Sequence, residues 1–421
     1  MKVLATIVVP PHLSVSGAAR AAESLSDALS EHCDMAVASM TGPAMAPARF
    51  RRLAVETSLP LVLRGQHVPT RHRTLFYRSD MAALLRSERF DLVHIHNPMP
   101  ALEMRRIARA CRKLGLPYVV STHGFNEVVN GLKVYAFNAV QRAVWRNAVV
   151  EPVRQVVAHA ARVFALSPHD VDLLRLLGQR TDNVTIVGNG VSNPEPANER
   201  RDGDLLATLG VTPRSEGGAP TFLFLANHTP NKGLPVLLEA FARLTEPYQL
   251  ILGGERREAV AYAKALSACR PGQRILVTGR LSDAETQACF RRADVFVFPT
   301  LADTFPLVVL EAMSHGLAVV ASRVGGIPHQ IDADSGVLVE PGDPDALVQA
   351  LLSLVHDRRR IERLGSAARA RARSQFNWPN AALAAFEGYE RALTEAGSAR
   401  PASVASRRLV EDAGANVIRL R

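Results

Sequence analysis

Two carboxylates, Asp303 and Glu311, flank an apolar turn in the stretch FVFPTLADTFPLVVLEAMSHGLAVVASRVGG, from Phe296 to Gly326. A pair of acids so placed can accept hydrogen bonds from sugar or ribose hydroxyls. The apolar run before Pro299 reads as a buried parallel strand, and Leu307 to His315 has helical character. Asp303 is therefore expected in a strand-to-helix loop and Glu311 on the helix that follows. Such loops, at the carboxyl ends of parallel strands, are where open α/β sheets bind ligands. Gly316 fits a helix C-cap, and Gly325-Gly326 after the run Leu317 to Ala321 would let backbone approach a ligand closely. An arbitrary acid pair is more often a helix-start charge and a solvated surface Glu. Here every junction is punctuated for a βαβ unit, which favours a carbohydrate or nucleotide site.

A second constellation carries the opposite charge. TFLFLA, Thr221 to Ala226, is a buried-strand candidate, and Asn227-His228-Thr229-Pro230-Asn231-Lys232-Gly233 leads into a helix from Leu234 to Leu244. A lysine beside a glycine at a helix start can reach a diphosphate that also faces free N–H groups and the helix macrodipole. An isolated Lys-Gly would be an ordinary exposed lysine; beside the acid motif it reads as an anion contact.

The acid segment resembles the donor-binding motif of the nucleotide-sugar transferases of glycosyltransferase family 4, E-x-F-G/P-x-x-x-x-E followed by A-M-A-x-G-x-P-V-V-A-s-x-x-G-G. Asp303 stands in the place of the family's first Glu, while Phe305, Pro306, Glu311, Ala312, Met313, Gly316, Gly325 and Gly326 match. The resemblance implies that Asp303 contacts donor sugar hydroxyls, that Glu311 holds the ribose, and that Thr304, Phe305, Pro306 and Leu307 line the donor between them. The family's second pattern, G-R-x-x-x-x-K-G, holds the pyrophosphate with Arg and Lys. Lys232 and Gly233 match it, but Ala226 and Asn227 replace Gly and Arg. Asn227 can donate a hydrogen bond yet carries no charge, so another cation is needed, and Arg280 after the strand-like Ile275 to Thr278 is the candidate.

The first half carries weaker landmarks of the same resemblance. Ser16-Gly17-Ala18 opens a helix where the family usually has two glycines, and Gly17 could let backbone approach a substrate phosphate. His123, in Ser121-Thr122-His123-Gly124, stands where the family has a histidine facing the donor sugar. A histidine there can donate a hydrogen bond without a fixed charge, although a core histidine is the plainer alternative. His94 and His96 lie in FDLVHIH, similar to the family's D-x-x-H-x-H strand, and are expected to be structural. Ser167-Pro168 and Gly188-Asn189-Gly190-Val191 match later landmarks, with Gly188 in place of a proline.

The elements that must position these residues alternate along the chain. Strand candidates in the first half are Lys2 to Val9, Leu92 to His96, Tyr118 to Ser121, Val163 to Leu166 and Val184 to Val187, and in the second Thr221 to Ala226, Gln249 to Leu252, Ile275 to Thr278, Val295 to Phe298, Ala318 to Ser322 and Gly336 to Val339. Helical stretches between most of them predict α/β domains with parallel sheets covered on both faces. The polar, Pro- and Gly-rich stretch from Asn193 to Pro220 reads as the connection, with one short helix around Asp204 to Leu209. The expected division is residues 1–195, linker 196–220, a nucleotide-sugar-binding domain 221–378, a last helix 379–396 and a mobile tail 397–421. By resemblance this is the GT-B architecture, two Rossmann-like doubly wound domains facing across a cleft, with the last helix crossing back to the first domain. The loops Thr41 to Arg73 and Asn126 to Val140 are the expected seat of acceptor specificity.

Length and composition agree. The 421 residues exceed what one core usually serves, and 47% hydrophobic residues suffice for two. No run is long and apolar enough to span a bilayer, and MKVLATIVVPP reads as a first strand, so a cytoplasmic protein is expected. Cys33, Cys111, Cys269 and Cys289 lack C-x-x-C spacing, which predicts neither a zinc site nor a disulfide framework. The formal charge is +10, but aromatics make up only 5% and no nucleic-acid motif is present, so a nucleic-acid partner is not expected. Basic helices carry Arg105, Arg106, Arg109, Arg112 and Lys113, and again Lys133, Arg142, Arg146 and Arg154 amid Val134, Tyr135, Phe137, Val140, Val144, Trp145, Val149 and Val150. These could meet the inner face of an anionic membrane holding a lipid-linked acceptor; the alternative is a helix with one side in the core.

The implied reaction moves a sugar from a nucleotide-diphosphate sugar to a hydroxyl of a glycan or glycolipid. By resemblance it retains anomeric configuration and needs neither metal nor further cofactor. A nucleotide-sugar epimerase, or a catalytically weak sugar-nucleotide-binding protein in which Asn227 and Asp303 mark lost function, are the alternatives.

Overall fold

The computed structural model describes residues 1–10, 16–40, 47–60, 73–97, 99–134, 137–213, 218–256 and 260–398. The strands are β1 (Lys2–Ile7), β2 (Asp34–Ser39), β3 (Arg51–Leu53), β4 (Thr57–Ser58), β5 (Arg78–Ser79), β6 (Leu92–His96), β7 (Tyr118–Ser121), β8 (Arg162–Ala165), β9 (Val184–Ile186), β10 (Thr221–Leu225), β11 (Tyr248–Gly253), β12 (Gln273–Gly279), β13 (Val295–Phe298), β14 (Ala318–Ser322) and β15 (Gly336–Val339). They form a seven-stranded sheet in the order β3-β2-β1-β6-β7-β8-β9, a six-stranded sheet in the order β12-β11-β10-β13-β14-β15, and a small antiparallel β4-β5 ribbon. Both large sheets are parallel throughout, as apolar strands alternating with helices require.

Strand order reverses between β1 and β6 in the first sheet and between β10 and β13 in the second. Crevices open outside the carboxyl ends of strands at such reversals. In the second sheet that crevice is bordered by the loops of Lys232, after β10, and Asp303, after β13. Phe222, Phe224, Phe296 and Phe298 are buried in these central strands and anchor both loops in one core.

No strand is expected from the sequence in the region of β2, which is nevertheless buried over five of its six residues. Its short DMAVAS pattern is dominated by small residues and lies after a helix, so neither length nor β-branching marks it. β3, within the stretch read as a loop from Thr41, is an edge strand of three residues; residues 41–46 and 61–72 of that stretch lie outside the described residues. The other expected loop is mainly helical, Phe125–Val134 and then Ala139–Trp145. Of the expected tail 397–421, residues 397 and 398 end the helix Trp378–Ser398 and residues 399–421 lie outside the described residues.

Between the sheets the helix Glu199–Thr208 is tied to the second domain by Asp202, which accepts from Arg291 at 2.6 and 2.7 Å. The helix Trp378–Ser398 returns to the first domain. Its Ala381, Ala382, Ala385, Tyr389 and Ala392 are buried against Val3, Ala5, Ile7 and the helix Gly17–Leu29. The small alanines allow close helix packing here, and Tyr389 donates to or accepts from His94 Nδ1 at 2.7 Å. No helix among the described residues is long and apolar enough to cross a membrane.

Candidate functional site

Lys232 ends a short 3-10 turn, Pro230–Lys232, and Gly233 caps the helix Leu234–Arg243 in the left-handed region at φ 72°. A Cβ at Gly233 would lie 1.7 Å from the Pro299 carbonyl oxygen, so only glycine lets this turn press against the end of β13. That close approach brings Lys232 to the acid loop: its Nζ stands 2.6 Å from Asp303 Oδ2. The side chains are 26% and 17% exposed, leaving the pair open to a ligand. Burial works against the Lys232 charge, but Asp303 outweighs it and holds the amine above its ordinary pKa. The first intrahelical bond of the adjoining helix is Leu237 N–H to Gly233 O, so the N–H groups of Leu234 and Val236 make no intrahelical bond, Pro235 having none to make.

The acid loop is fixed from several sides. The Asp303 carbonyl accepts from Asn126 Nδ2 at 3.0 Å, and the Phe305 carbonyl from Asn189 Nδ2 at 3.0 Å, both from the first domain. The Pro306 carbonyl accepts from Gln330 at 3.0 Å, and the Thr304 carbonyl from Gly326 N–H at 2.6 Å. Phe305 is buried and meets Phe376 edge to face; Thr304 is buried and Leu307, at the helix start, half-buried. The glycine pair has a different use from the expected approach to a ligand. A Cβ at Gly325 would fall 2.0 Å from the Asp303 carbonyl oxygen and one at Gly326 2.5 Å from the Phe305 ring, so both glycines admit the acid loop itself.

Glu311 lies one element further, on the helix Leu307–His315, and pairs across the cleft with Arg20, Nη2 to Oε1 3.0 Å. Burial raises the Glu311 carboxyl pKa and Arg20 pulls it back only partly. Gly17 is exposed at the start of the helix that carries Arg20, with no atom within 4 Å of a Cβ placed there. Its neighbour Ser16 caps that helix by accepting from Ala19 N–H.

His123 follows β7 on the first-domain side, 4% exposed, and burial pulls its imidazole down to about 4. It is neutral at physiological pH, able to offer one N–H and one lone pair. His94 bridges Tyr389 and Ser121 through its two ring nitrogens, both at 2.7 Å, and is a buried structural group. The His96 ring lies tilted by 32° against it at 3.7 Å between ring centroids, and 5.7 Å from the His123 ring.

The structure thus brings together Lys232, Gly233, Asp303, Thr304, Phe305, Pro306, Leu307 and Glu311 on one sheet's carboxyl edge. Gly17 and His123 belong to the opposite domain. Asn227 is half-buried in the loop after β10, its carbonyl accepting from Thr229 N–H at 2.9 Å. Arg280 is exposed beyond β12, the edge strand, two positions from β10 in the sheet. Three residues to which the sequence assigns no site role join the site: Arg20, Asn126 and Asn189. Arg20 is legible in retrospect as the charge one turn into a helix opened by Gly17; Asn189 belongs to the Gly188-Asn189-Gly190-Val191 landmark, but its contact with the acid loop, like that of Asn126, depends on how the domains face. A cavity of about 780 Å³ lies elsewhere, further along the Arg20 helix between Glu23, Asp27, Arg52, Arg373 and Trp378.

Residues 15–193 match the family described as Glycosyltransferase Family 4, and residues 219–357 match Glycosyl transferases group 1. A D-inositol 3-phosphate glycosyltransferase from Xylanimonas cellulosilytica is 34% identical over 249 residues, covering 56% of this chain and 58% of that protein. The chain therefore spans little more than half the length of that relative. An alpha-maltose-1-phosphate synthase from Mycobacterium tuberculosis is 31% identical over 283 residues, 62% of this chain and 70% of the relative. Among solved structures, Anabaena Alr3699/HepE in complex with UDP and glucose superimposes with a TM-score of 0.68 over 93% of this chain and 99% of that one, at 16% identity. The paired parallel sheets are the GT-B fold, and the chain belongs to the group 1, family 4 glycosyltransferases.

Proposed function

We propose that this chain transfers a sugar from a nucleoside-diphosphate sugar to a hydroxyl acceptor, with retention of anomeric configuration and without a metal ion. The carrying observation is the 2.6 Å contact of Lys232 with Asp303 at the start of the Leu234–Arg243 helix. A cation and a carboxylate joined there match the two ends of such a donor, a diphosphate beside a polyhydroxyl ring. Lys232 and the helix-start N–H groups stabilise charge growing on the leaving diphosphate. Asp303 accepts from sugar hydroxyls, Glu311 from the ribose, and the buried, neutral His123 donates to a sugar oxygen from the opposite wall. Gly233 and Asn227 shape the phosphate loop, Thr304 to Leu307 the wall between the two acids, and Gly17 leaves room for substrate at the first-domain helix start.

A lipid-linked acceptor is supported by the helix Ala139–Trp145, on which Val140 and Val144 are 72% and 41% exposed beside the exposed Arg142 and Arg146. An apolar stripe flanked by arginines suits an anionic membrane surface. The stripe is narrower than the sequence suggests, because Trp145 and Val149 are in the core.

Lys232→Ala tests the transfer reading directly. With uridine, guanosine and adenosine diphosphate sugars screened as donors, the variant is expected to lose at least tenfold in transfer, since removing one such contact typically costs about 10²- to 10³-fold. Turnover equal to the parent protein's removes Lys232 from the mechanism.

A further inference from the structure

We propose that Arg256 is the second cation of the diphosphate site, supplying from the loop after the neighbouring strand β11 the charge that Asn227 lacks. The inference rests on the nucleoside-diphosphate reading above and names a residue that reading does not contain. A diphosphate leaving group needs more positive charge than the site otherwise holds. Lys232 is matched by Asp303, and Arg20 by Glu311, so these four charges cancel in pairs.

The loop after β11 lies directly on the loop after β10. A Cβ at Gly254 would fall 1.7 Å from the Ala226 carbonyl oxygen and 3.3 Å from Asn227 N. His228 N–H donates to the Glu255 carbonyl at 2.8 Å, and His228 and Arg256 form a parallel bridge. Arg256 is therefore a strand-like neighbour of the residue next to Asn227. Arg280, by contrast, leaves the sheet one strand further out.

The Arg256 side chain is held without being neutralised. Its guanidinium lies 4.7 Å from the centroid of the Tyr262 ring, and the Tyr262 hydroxyl is 2.5 Å from His228 Nδ1. A ring face orients a guanidinium while leaving its in-plane N–H groups for an anion, and those groups fit phosphate oxygens in pairs. Arg256 is exposed and forms no ion pair with a carboxylate among the described residues. His228 is not the missing charge: burial lowers its imidazole pKa, and Arg256 pushes the same way against a backbone hydrogen bond at Gly253.

The experiment measures binding of UDP, GDP and ADP, and of the matching nucleosides, by calorimetry to the full chain and to Arg256→Ala, Lys232→Ala and Arg256→Ala/Asn227→Arg. Arg256→Ala is expected to weaken the preferred diphosphate about tenfold or more while leaving the nucleoside unchanged, the range of a lost charged hydrogen bond. Asn227→Arg in that background should restore most of the affinity, which repair of a merely structural defect would not do. Diphosphate affinity in Arg256→Ala equal to the parent's, with Lys232→Ala weakened, overturns the role of Arg256 and spares the donor site. Failure of all three diphosphates to bind the parent chain overturns the donor reading and this inference with it.

Discussion

Arg20 of the first domain and Glu311 of the second meet across the cleft, guanidinium Nη2 3.0 Å from carboxylate Oε1. Only one oxygen of Glu311 is engaged, so the other remains able to accept from a ribose hydroxyl. Burial raises the Glu311 pKa and Arg20 opposes it; without Arg20 the carboxylate takes up its proton at higher pH. Arg20→Ala should therefore shift the acid limit of nucleoside-diphosphate binding upward. Because Arg20 is 58% exposed, stability itself should change by less than about 1 kcal/mol. A titration of binding against pH in both proteins decides it, and coincident acid limbs would show that the pair has no influence on the site.

Asp303 exerts the opposite pull on Lys232. Burial lowers the amine pKa, and the Asp303 charge and hydrogen bond raise it above the ordinary value. Asp303→Asn keeps an oxygen at the position but removes the charge, so the ammonium should lose its proton at lower pH. Diphosphate binding is then expected to fail earlier on the alkaline side. An unchanged alkaline limb in Asp303→Asn would mean that Lys232 does not carry the affinity.

The segment around Asp303 and Glu311 was legible because local chemistry dictates it. Buried strands β13 and β14 are continuous apolar runs, and Gly316 ends the intervening helix at φ 79°. The unread parts depend on distant contacts. β2 is held by pairing with β1 and burial on the first sheet, not by its own propensity. Gly325 looks identical in sequence whether its missing Cβ makes room for a ligand or for the Asp303 carbonyl. Asn126 and Asn189 gain their significance only when the two domains face each other.

The three buried histidines of the first domain make stability pH-dependent. Burial is the main cause holding His94 and His96 well below the ordinary range, and it takes His123 to about 4. An unfolded chain protonates these imidazoles near pH 6.5, whereas the native chain keeps His123 neutral until about pH 4, so stability falls as pH drops through that window. His123 alone should account for about 2 kcal/mol between pH 7 and pH 5. Denaturant unfolding at the two pH values measures the loss, and His123→Gln should reduce it. The same loss in the variant would assign the acid sensitivity to other groups.

Two glycines at helix starts separate backbone geometry from ligand approach. Gly233 has φ 72°, and a Cβ there would overlap the Pro299 carbonyl oxygen at 1.7 Å, so alanine must displace the turn that delivers Lys232 to Asp303. Left-handed backbone alone disfavours alanine by about 1–2 kcal/mol, and the overlap adds to it. Gly233→Ala should lower Tm by about 4 °C or more and abolish diphosphate binding. Gly17 has open space around its missing Cβ and begins a helix, where alanine is favoured over glycine. Gly17→Ala should keep or raise Tm, so a fall in transfer at unchanged donor binding would locate acceptor approach at that helix start. Full transfer activity in Gly17→Ala would instead show that no substrate group needs the space beside it.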